Sequence, residues 1–167
     1  MLLKTTHPPE SLKMFFEKHH LDVTTYQHEA IFRVGEGEHI KTHLTGAHTK
    51  NLFLKDKKGH IFLVIACDDT IIDLKWLSKR LSAGRFSFGK PELLKQVLNV
   101  TPGSVTPFAL IHDDQKIVRP VLDEKMMTYD ILNFHPLQNT MTSAIKNADF
   151  INFFDVLGYD PEYVDFS

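Results

Sequence analysis

The sequence contains one cysteine, Cys67, in 167 residues. No disulfide can form within such a chain, which excludes a small secreted scaffold stapled by these bonds. Long apolar runs are also missing. The longest, Ile61 to Cys67, falls far short of the ~20 residues that cross a bilayer, and the first residues lack the apolar core of a signal peptide. A cytoplasmic location with no membrane partner is the expectation. Neither sign of charge is in excess, since 19 Lys and Arg stand against 21 Asp and Glu for a net −2. That balance argues against wholesale coating of nucleic acid, and DNA is not an expected partner, although a local basic patch remains open.

What is present has globular proportions: 43% hydrophobic and 24% charged residues, with no internal repeat and no low-complexity linker. A chain of this length buries roughly 70% of the surface that its unfolded form exposes, so a single domain over residues 1–167 is expected. Pro8 and Pro9 precede an amphipathic helix from Glu10 to Lys18, and Asp22 to Gln27 reads as a short strand. Gly35 and Gly37 break the pattern before a helical turn around His39 to His43, which Gly46 ends. Asn51 to Lys55 and His60 to Ala66 form a hairpin around Asp56-Lys57-Lys58-Gly59. Asp73 caps a helix carrying Leu74, Leu77 and Leu81 and stopped by Gly84, and Pro91 opens another through Leu94 and Leu98.

Thr101 to Pro107, with two prolines and a glycine in seven residues, is a shaped loop. A second hairpin is predicted from Phe108–Ile111 and Lys116–Leu122 across Asp113-Asp114-Gln115. A helical turn near Glu124 to Met127 follows, then strands at Ile131–His135 and Gln138–Ser143. Asn147 caps a last helix striped with Phe150, Phe153, Phe154 and Leu157 and stopped by Gly158, and Tyr163 to Phe166 is a final strand. Helices scattered among hairpins imply an α+β, mixed α/β domain: one curved, largely antiparallel central sheet with helices packed around it. Regular βαβ alternation and a glycine-rich phosphate loop are absent, so a dinucleotide fold is disfavoured.

Several chemistries fail on spacing. His39 and His43 would share a helical face, but no acidic residue stands between them as in zinc proteases and a third ligand such as His48 has to be assumed, so no metal and no cofactor is expected. A serine hydrolase lacks its Gly-x-Ser-x-Gly elbow, since Ser104 lies in the proline-flanked loop. Cys67, inside an apolar strand, reads as a small buried hydrophobe rather than a thiol nucleophile. The informative stretch is Gly46 to Asp56, where Lys50-Asn51 stands at the mouth of an apolar strand. On the residues alone, Lys50 is either a solvated strand-end lysine or an ammonium presented to a ligand carbonyl or phosphate.

Three blocks occur in order: Gly46 to Asp56, Gly103-x-x-x-Pro107, and Asn133-Phe134-His135-Pro136-Leu137 with Asn139-Thr140. With them the chain, from about His28 to its C-terminus, resembles the aminoacyl-tRNA deacylases related to the prolyl-tRNA synthetase editing domain. Within these it looks most like the free-standing alanyl-tRNA(Pro) deacylase branch, the prolyl-tRNA-synthetase-associated domain proteins. The cysteinyl-tRNA(Pro) branch, lacking the His-Pro-Leu block, ranks second. The resemblance implies a trans-editing hydrolase that needs no metal or protein nucleophile. It carries Lys50 over as the lysine required for deacylation, Asn51 as the residue that helps to hold the aminoacyl end, and Gly103, Ser104, Val105, Thr106 and Pro107 as the loop whose amides face the substrate. His135 matches a histidine near the substrate's amino group and terminal ribose. One departure stands out: many relatives have His-Pro-Pro near the first strand, whereas this chain has His28-Glu29-Ala30.

Editing suits this chemistry. A missing methylene is worth only ~1–3 kcal/mol, so alanine enters a proline pocket and accuracy requires a second, hydrolytic site. Leu52 and Phe53 are candidate walls of that site, with plain core as the competing assignment. Amides of the 103–107 loop and the Lys50 ammonium are candidate donors to the ester oxyanion. Lys55, Lys57, Lys58 and Arg80 are candidate contacts to the acceptor end of tRNA(Pro), with Arg85, Lys90 and Lys95 continuing a basic rim. Prolyl-tRNA synthetase is a conceivable docking partner. The competing functions are a Cys- or Ser-tRNA deacylase of the same superfamily, a non-catalytic tRNA- or synthetase-binding module, and a small-molecule binding protein.

Overall fold

A computed structural model describes residues 3–30 and 43–167. In chain order the strands are β1 (Lys4–Thr6), β2 (Val23–Gln27), β3 (Ala47–Asp56), β4 (Ile61–Cys67), β5 (Phe86–Phe88), β6 (Val118–Asp123), β7 (Ile131–Phe134), β8 (Met141–Lys146) and β9 (Glu162–Val164). The helices are α1 (Glu10–Lys18), α2 (Leu74–Arg80), α3 (Pro91–Leu98) and α4 (Asn147–Leu157), with 3-10 turns at Pro107–His112 and Met126–Thr128.

The strands form one mixed sheet ordered β1-β2-β8-β7-β3-β4-β6-β9, with the short β5 added to β3. Pairing is antiparallel for β1·β2, β2·β8, β7·β8, β3·β4 and β3·β5, and parallel for β3·β7, β4·β6 and β6·β9. The β3–β4 hairpin was legible from its turn: Gly59 takes φ +87°, where glycine meets no steric cost. β3 runs longer than expected, starting at Ala47, whereas β4 keeps the expected length one residue further on.

Every residue of β4 is buried, which explains the continuous apolar run. Its side chains alternate between two cores. Ile61, Leu63, Ile65 and Cys67 join a large core with α1, α3, α4 and the 107–112 turn, whereas Phe62 and Val64 join a smaller one with Leu77 of α2 and Val164 of β9. The phenylalanines that striped the sequence at 150, 153 and 154 fill the large core, with Phe108 against Phe134 and Phe153.

The predicted second hairpin is not formed. Residues 107–112 make a 3-10 turn because Pro107 fixes the first φ and the Thr106 hydroxyl oxygen accepts from Phe108 N at 3.3 Å. The Asp113 carboxylate then accepts the Ile117 and Val118 amides at 3.1 and 2.9 Å. That bond set turns the chain into β6, which lies parallel to β4 rather than folding back on residues 108–111. Pro120 sits in β6 beside Leu63, one residue before β9 pairing starts at Val121, so its missing N–H interrupts no second ladder.

Other boundaries shift. The strand expected at 138–143 is Met141–Lys146, and the last is Glu162–Val164. Asn147 does not cap α4: Lys146 holds that position, and the Asn147 amide instead donates to the carbonyls of Met127 and Tyr129 at 2.9 and 3.0 Å. Gly84 does not stop α2, which ends at Arg80, but gives its amide to Asp56. Asp73 caps α2 through Trp76 N, Pro91 opens α3, and Gly158 ends α4 as expected. The turn expected around His39 to His43 lies, except for His43, outside the described residues, as do Gly35 and Gly37.

Candidate active site

The site is built on β3. Gly46 enters the strand at φ +97°, and a Cβ there would stand 2.3 Å from the Ile131 carbonyl oxygen, so the close approach of β3 to β7 requires glycine. Lys50 lies within the strand, not at its mouth, because β3 begins three residues earlier, at Ala47. Its partner across the hairpin is Ala66, and its half-buried ammonium donates to the carbonyl oxygen of Thr70.

Residue type alternates with face along β3. Lys50 and Leu52 share the side of the smaller core, against which Leu52 packs. Asn51 and Phe53 face the large core, where Phe53 is 5% exposed and acts as core rather than as an open wall. Lys50 and Asn51 therefore project to opposite sides of the sheet. The side-chain oxygen of Asn51 is buried with no hydrogen-bond partner among the described residues. An orphaned buried acceptor costs about 1–3 kcal/mol and marks a place where a donor is missing.

One edge of β3 is open at this point. Pairing with β7 ends at His48 and pairing with β5 begins at Leu54, so no described strand covers Lys50, Asn51 and Leu52 on that side.

The 103–107 loop takes the shape its composition implied. Gly103 has φ +91°, and Ser104, Thr106 and Pro107 are buried. Val105 packs on the large core, the side to which Asn51 points. The Ser104 amide is occupied by Thr101 O at 3.0 Å, and Pro107 has no N–H. The amides of Gly103, Val105 and Thr106 remain, and no hydrogen bond joins them to Lys50, whose ammonium rests on Thr70.

His135 follows β7, with Nδ1 3.0 Å from the Met141 carbonyl oxygen. A carbonyl only accepts, so Nδ1 carries the proton and Nε2 presents a lone pair. Burial pushes the imidazole pKa below its ordinary value against the raising effect of the Met141 bond, and neighbouring His28 pushes it further down. His28 stands with its ring 6.4 Å from that of His135 and with Nε2 2.7 Å from the Thr142 hydroxyl. The departing His28-Glu29-Ala30 segment thus borders His135.

A cleft of about 710 Å³ opens where β5 and α3 meet the β3–β4 turn, and Lys55, Lys57, Arg85 and Lys90 line it with Phe86, Phe88 and Leu93. Its four cations outnumber its two carboxylates, Asp56 and Glu92, in a chain of net charge −2. Asp56 braces the wall: it accepts from His60 N at 2.8 Å and Gly84 N at 2.9 Å. Burial opposes its ionisation, but these bonds and His60 outweigh it and bring the pKa to about 2. Lys58 is exposed on the adjoining turn and does not line the cleft. Arg80 is elsewhere, held by Glu162 at 3.2 Å and the Tyr163 carbonyl at 3.4 Å.

Among the described residues no group of three or more His, Cys, Asp and Glu is placed to hold a metal. Burial, with the charge of Asp123 beside it, raises the Cys67 thiol to about 11, a poor thiolate source. No helix among the described residues is long and apolar enough to cross a membrane. Two residues that sequence reasoning missed, Thr70 and Asp123, hold the Lys50 ammonium and the turn beneath it.

The aminoacyl-tRNA editing domain family matches residues 28–153, and the chain belongs to that family. Its relatives include the zebrafish (Danio rerio) prolyl-tRNA synthetase associated domain-containing protein 1, 35% identical over 159 residues that cover 94% of this chain and 86% of the relative. The prolyl-tRNA editing protein ProX of Acetoanaerobium sticklandii is 31% identical, covering 77% and 79% of the two chains. The same fold occurs in a crystal structure of a candidate trans-editing enzyme for prolyl tRNA synthetase, with a TM-score of 0.70 at 16% identity over 96% of this chain and 98% of that one.

Proposed function

We propose that this protein is a trans-acting hydrolase that removes alanine from mischarged tRNA(Pro) in the cytoplasm. The observation that carries the reading is the buried Asn51 oxygen, without a partner among the described residues, next in sequence to half-buried Lys50 on a stretch of strand edge that no described strand covers. An aminoacyl end entering edge-on meets side chains from both faces. The Asn51 oxygen accepts from the substrate's α-ammonium, and Lys50 directs an N–H not used by Thr70 at the ester carbonyl.

Water attacks that carbonyl, and the negative charge on its oxygen is met by the Lys50 ammonium. The released ribose hydroxyl takes the proton lost by the water. His135 Nε2, an acceptor, orients the amino group or terminal ribose. No acyl-enzyme forms, because an activated ester needs no protein nucleophile. The net-positive cleft receives phosphates of the acceptor end, and its exposed Phe88 offers a face for an unpaired base. Membership of the editing-domain family and the names of the ProX and synthetase-associated relatives support this reading. Those names also motivate prolyl-tRNA synthetase as a docking partner.

The test is deacylation of Ala-tRNA(Pro) by wild type, Lys50→Ala and Asn51→Ala, each checked for fold by circular dichroism. Loss of turnover by about 10²-fold or more in Lys50→Ala is expected for removal of an oxyanion donor. Equal rates for wild type and Lys50→Ala would refute the assignment.

A further inference from the structure

Lys50 does not hold itself. Its ammonium donates to the Thr70 carbonyl, and Thr70 closes a tight turn after β4 through its own amide, which donates to Cys67 O at 3.1 Å. The turn is clamped from a third strand. Asp123, in β6 and 1% exposed, accepts from Cys67 N at 3.1 Å and from the Thr70 hydroxyl at 2.6 Å through one and the same oxygen. Its other oxygen takes the Lys125 amide at 3.0 Å. A carboxylate that receives three neutral donors, with no cation bonded to it among the described residues, is arranged to fix backbone geometry rather than to form an ion pair. What it fixes is the first and last residue of the turn whose carbonyl holds the lysine.

We propose that Thr70 and Asp123 are positioning residues for the reacting lysine: Asp123 locks the Cys67–Thr70 turn, and the Thr70 carbonyl then aims the Lys50 ammonium at the substrate. The inference rests on Lys50 contacting the ester. One N–H of the ammonium is spent on Thr70, which restricts a flexible four-carbon stem and leaves two N–H groups directed outward. Without the clamp the carbonyl moves with its turn, and a lysine displaced by about 1 Å loses a large part of its effect on the rate. Substrate affinity, set by other contacts, is left unchanged.

The experiment compares Thr70→Val, Thr70→Ser, Asp123→Asn and Lys50→Ala with wild type in single-turnover deacylation of Ala-tRNA(Pro) over a range of enzyme concentrations. Thr70→Val keeps the carbonyl and the side-chain shape while deleting the hydroxyl. Its maximal rate is expected to fall about tenfold or more with the half-saturating concentration and unfolding midpoint little changed, and Thr70→Ser is expected to retain the wild-type rate to within about twofold. Asp123→Asn falls with Thr70→Val; if that variant does not fold, the Thr70 pair decides. Wild-type rates in Thr70→Val, or losses confined to the half-saturating concentration, overturn the positioning role while Lys50→Ala remains inactive. An active Lys50→Ala instead overturns the lysine assignment itself, which separates the two failures.

Discussion

The ring of His28 lies 6.4 Å from that of His135, and His28 is one of the two groups besides burial that set the protonation of its neighbour. The two histidines come from segments more than 100 residues apart, joined because β2 pairs with β8. Burial keeps His135 neutral, so its folded pKa lies below the ordinary 6.5 that the unfolded chain shows. The unfolded chain therefore binds more protons just below that value, and stability falls as pH drops from about 6.5 through the lowered folded pKa, then levels. Urea titrations between pH 5 and 8 should show this slope in wild type and a flatter one in His135→Asn, which keeps a donor for Met141 O but does not titrate. An identical slope in both would contradict the assignment.

Asp56 gives the same sign in a more acidic window. Its pKa of about 2, below the ordinary 3.8, means that the stability it supplies is present above about pH 4 and lost as pH falls toward 2. Replacing it with Ala strands the Gly84 and His60 amides and should cost about 2 kcal/mol at neutral pH, measured by chemical denaturation. It should also weaken RNA binding, because the bonds to Gly84 and His60 brace the cleft wall.

Gly46→Ala is expected to be one of the more damaging small substitutions. The added Cβ meets Ile131 backbone at 2.3 Å at a φ of +97°, and the cost should reach about 3 kcal/mol or more. Thermal unfolding checks the loss. Because Gly46 sets the entry to β3, turnover of the surviving folded fraction should fall as well.

In the cleft, Lys57→Glu and Arg85→Glu should raise the half-saturating concentration for aminoacyl-tRNA by about tenfold each and reduce its salt dependence, with the maximal rate nearly unchanged. Phe88, 63% exposed, should show a similar binding loss on change to Ala if a base stacks on it. Arg80→Glu, at a residue that does not line the cleft and is tied to Glu162, should have little effect.

Local chemistry was legible in the sequence wherever one short segment determined it. The Asp56–Gly59 turn, the Asp73 cap and Pro91 at the start of α3 follow from residues within a few positions of one another. The 107–112 turn was misread as a strand because its apolar residues carry no period that separates a buried turn from a buried strand. A parallel β6 could not be foreseen, since its partner strand lies more than 50 residues away and no tight turn announces it. The same distance hides the site. The motif blocks named Lys50, Asn51 and His135, but the clamp from Asp123 to Thr70 spans 53 positions, and which of the expected basic residues line the cleft, Arg85 and Lys90 but not Lys58 or Arg80, follows from β5 docking on β3.

The most direct measurement is single-turnover deacylation of tRNA(Pro) charged in parallel with alanine, serine, cysteine and proline. Alanine should be released fastest, with Pro-tRNA(Pro) spared by a factor of about 10² or more. Equal hydrolysis of Ala-tRNA(Pro) and Pro-tRNA(Pro), or tight binding of both without release of either amino acid, would contradict the editing function.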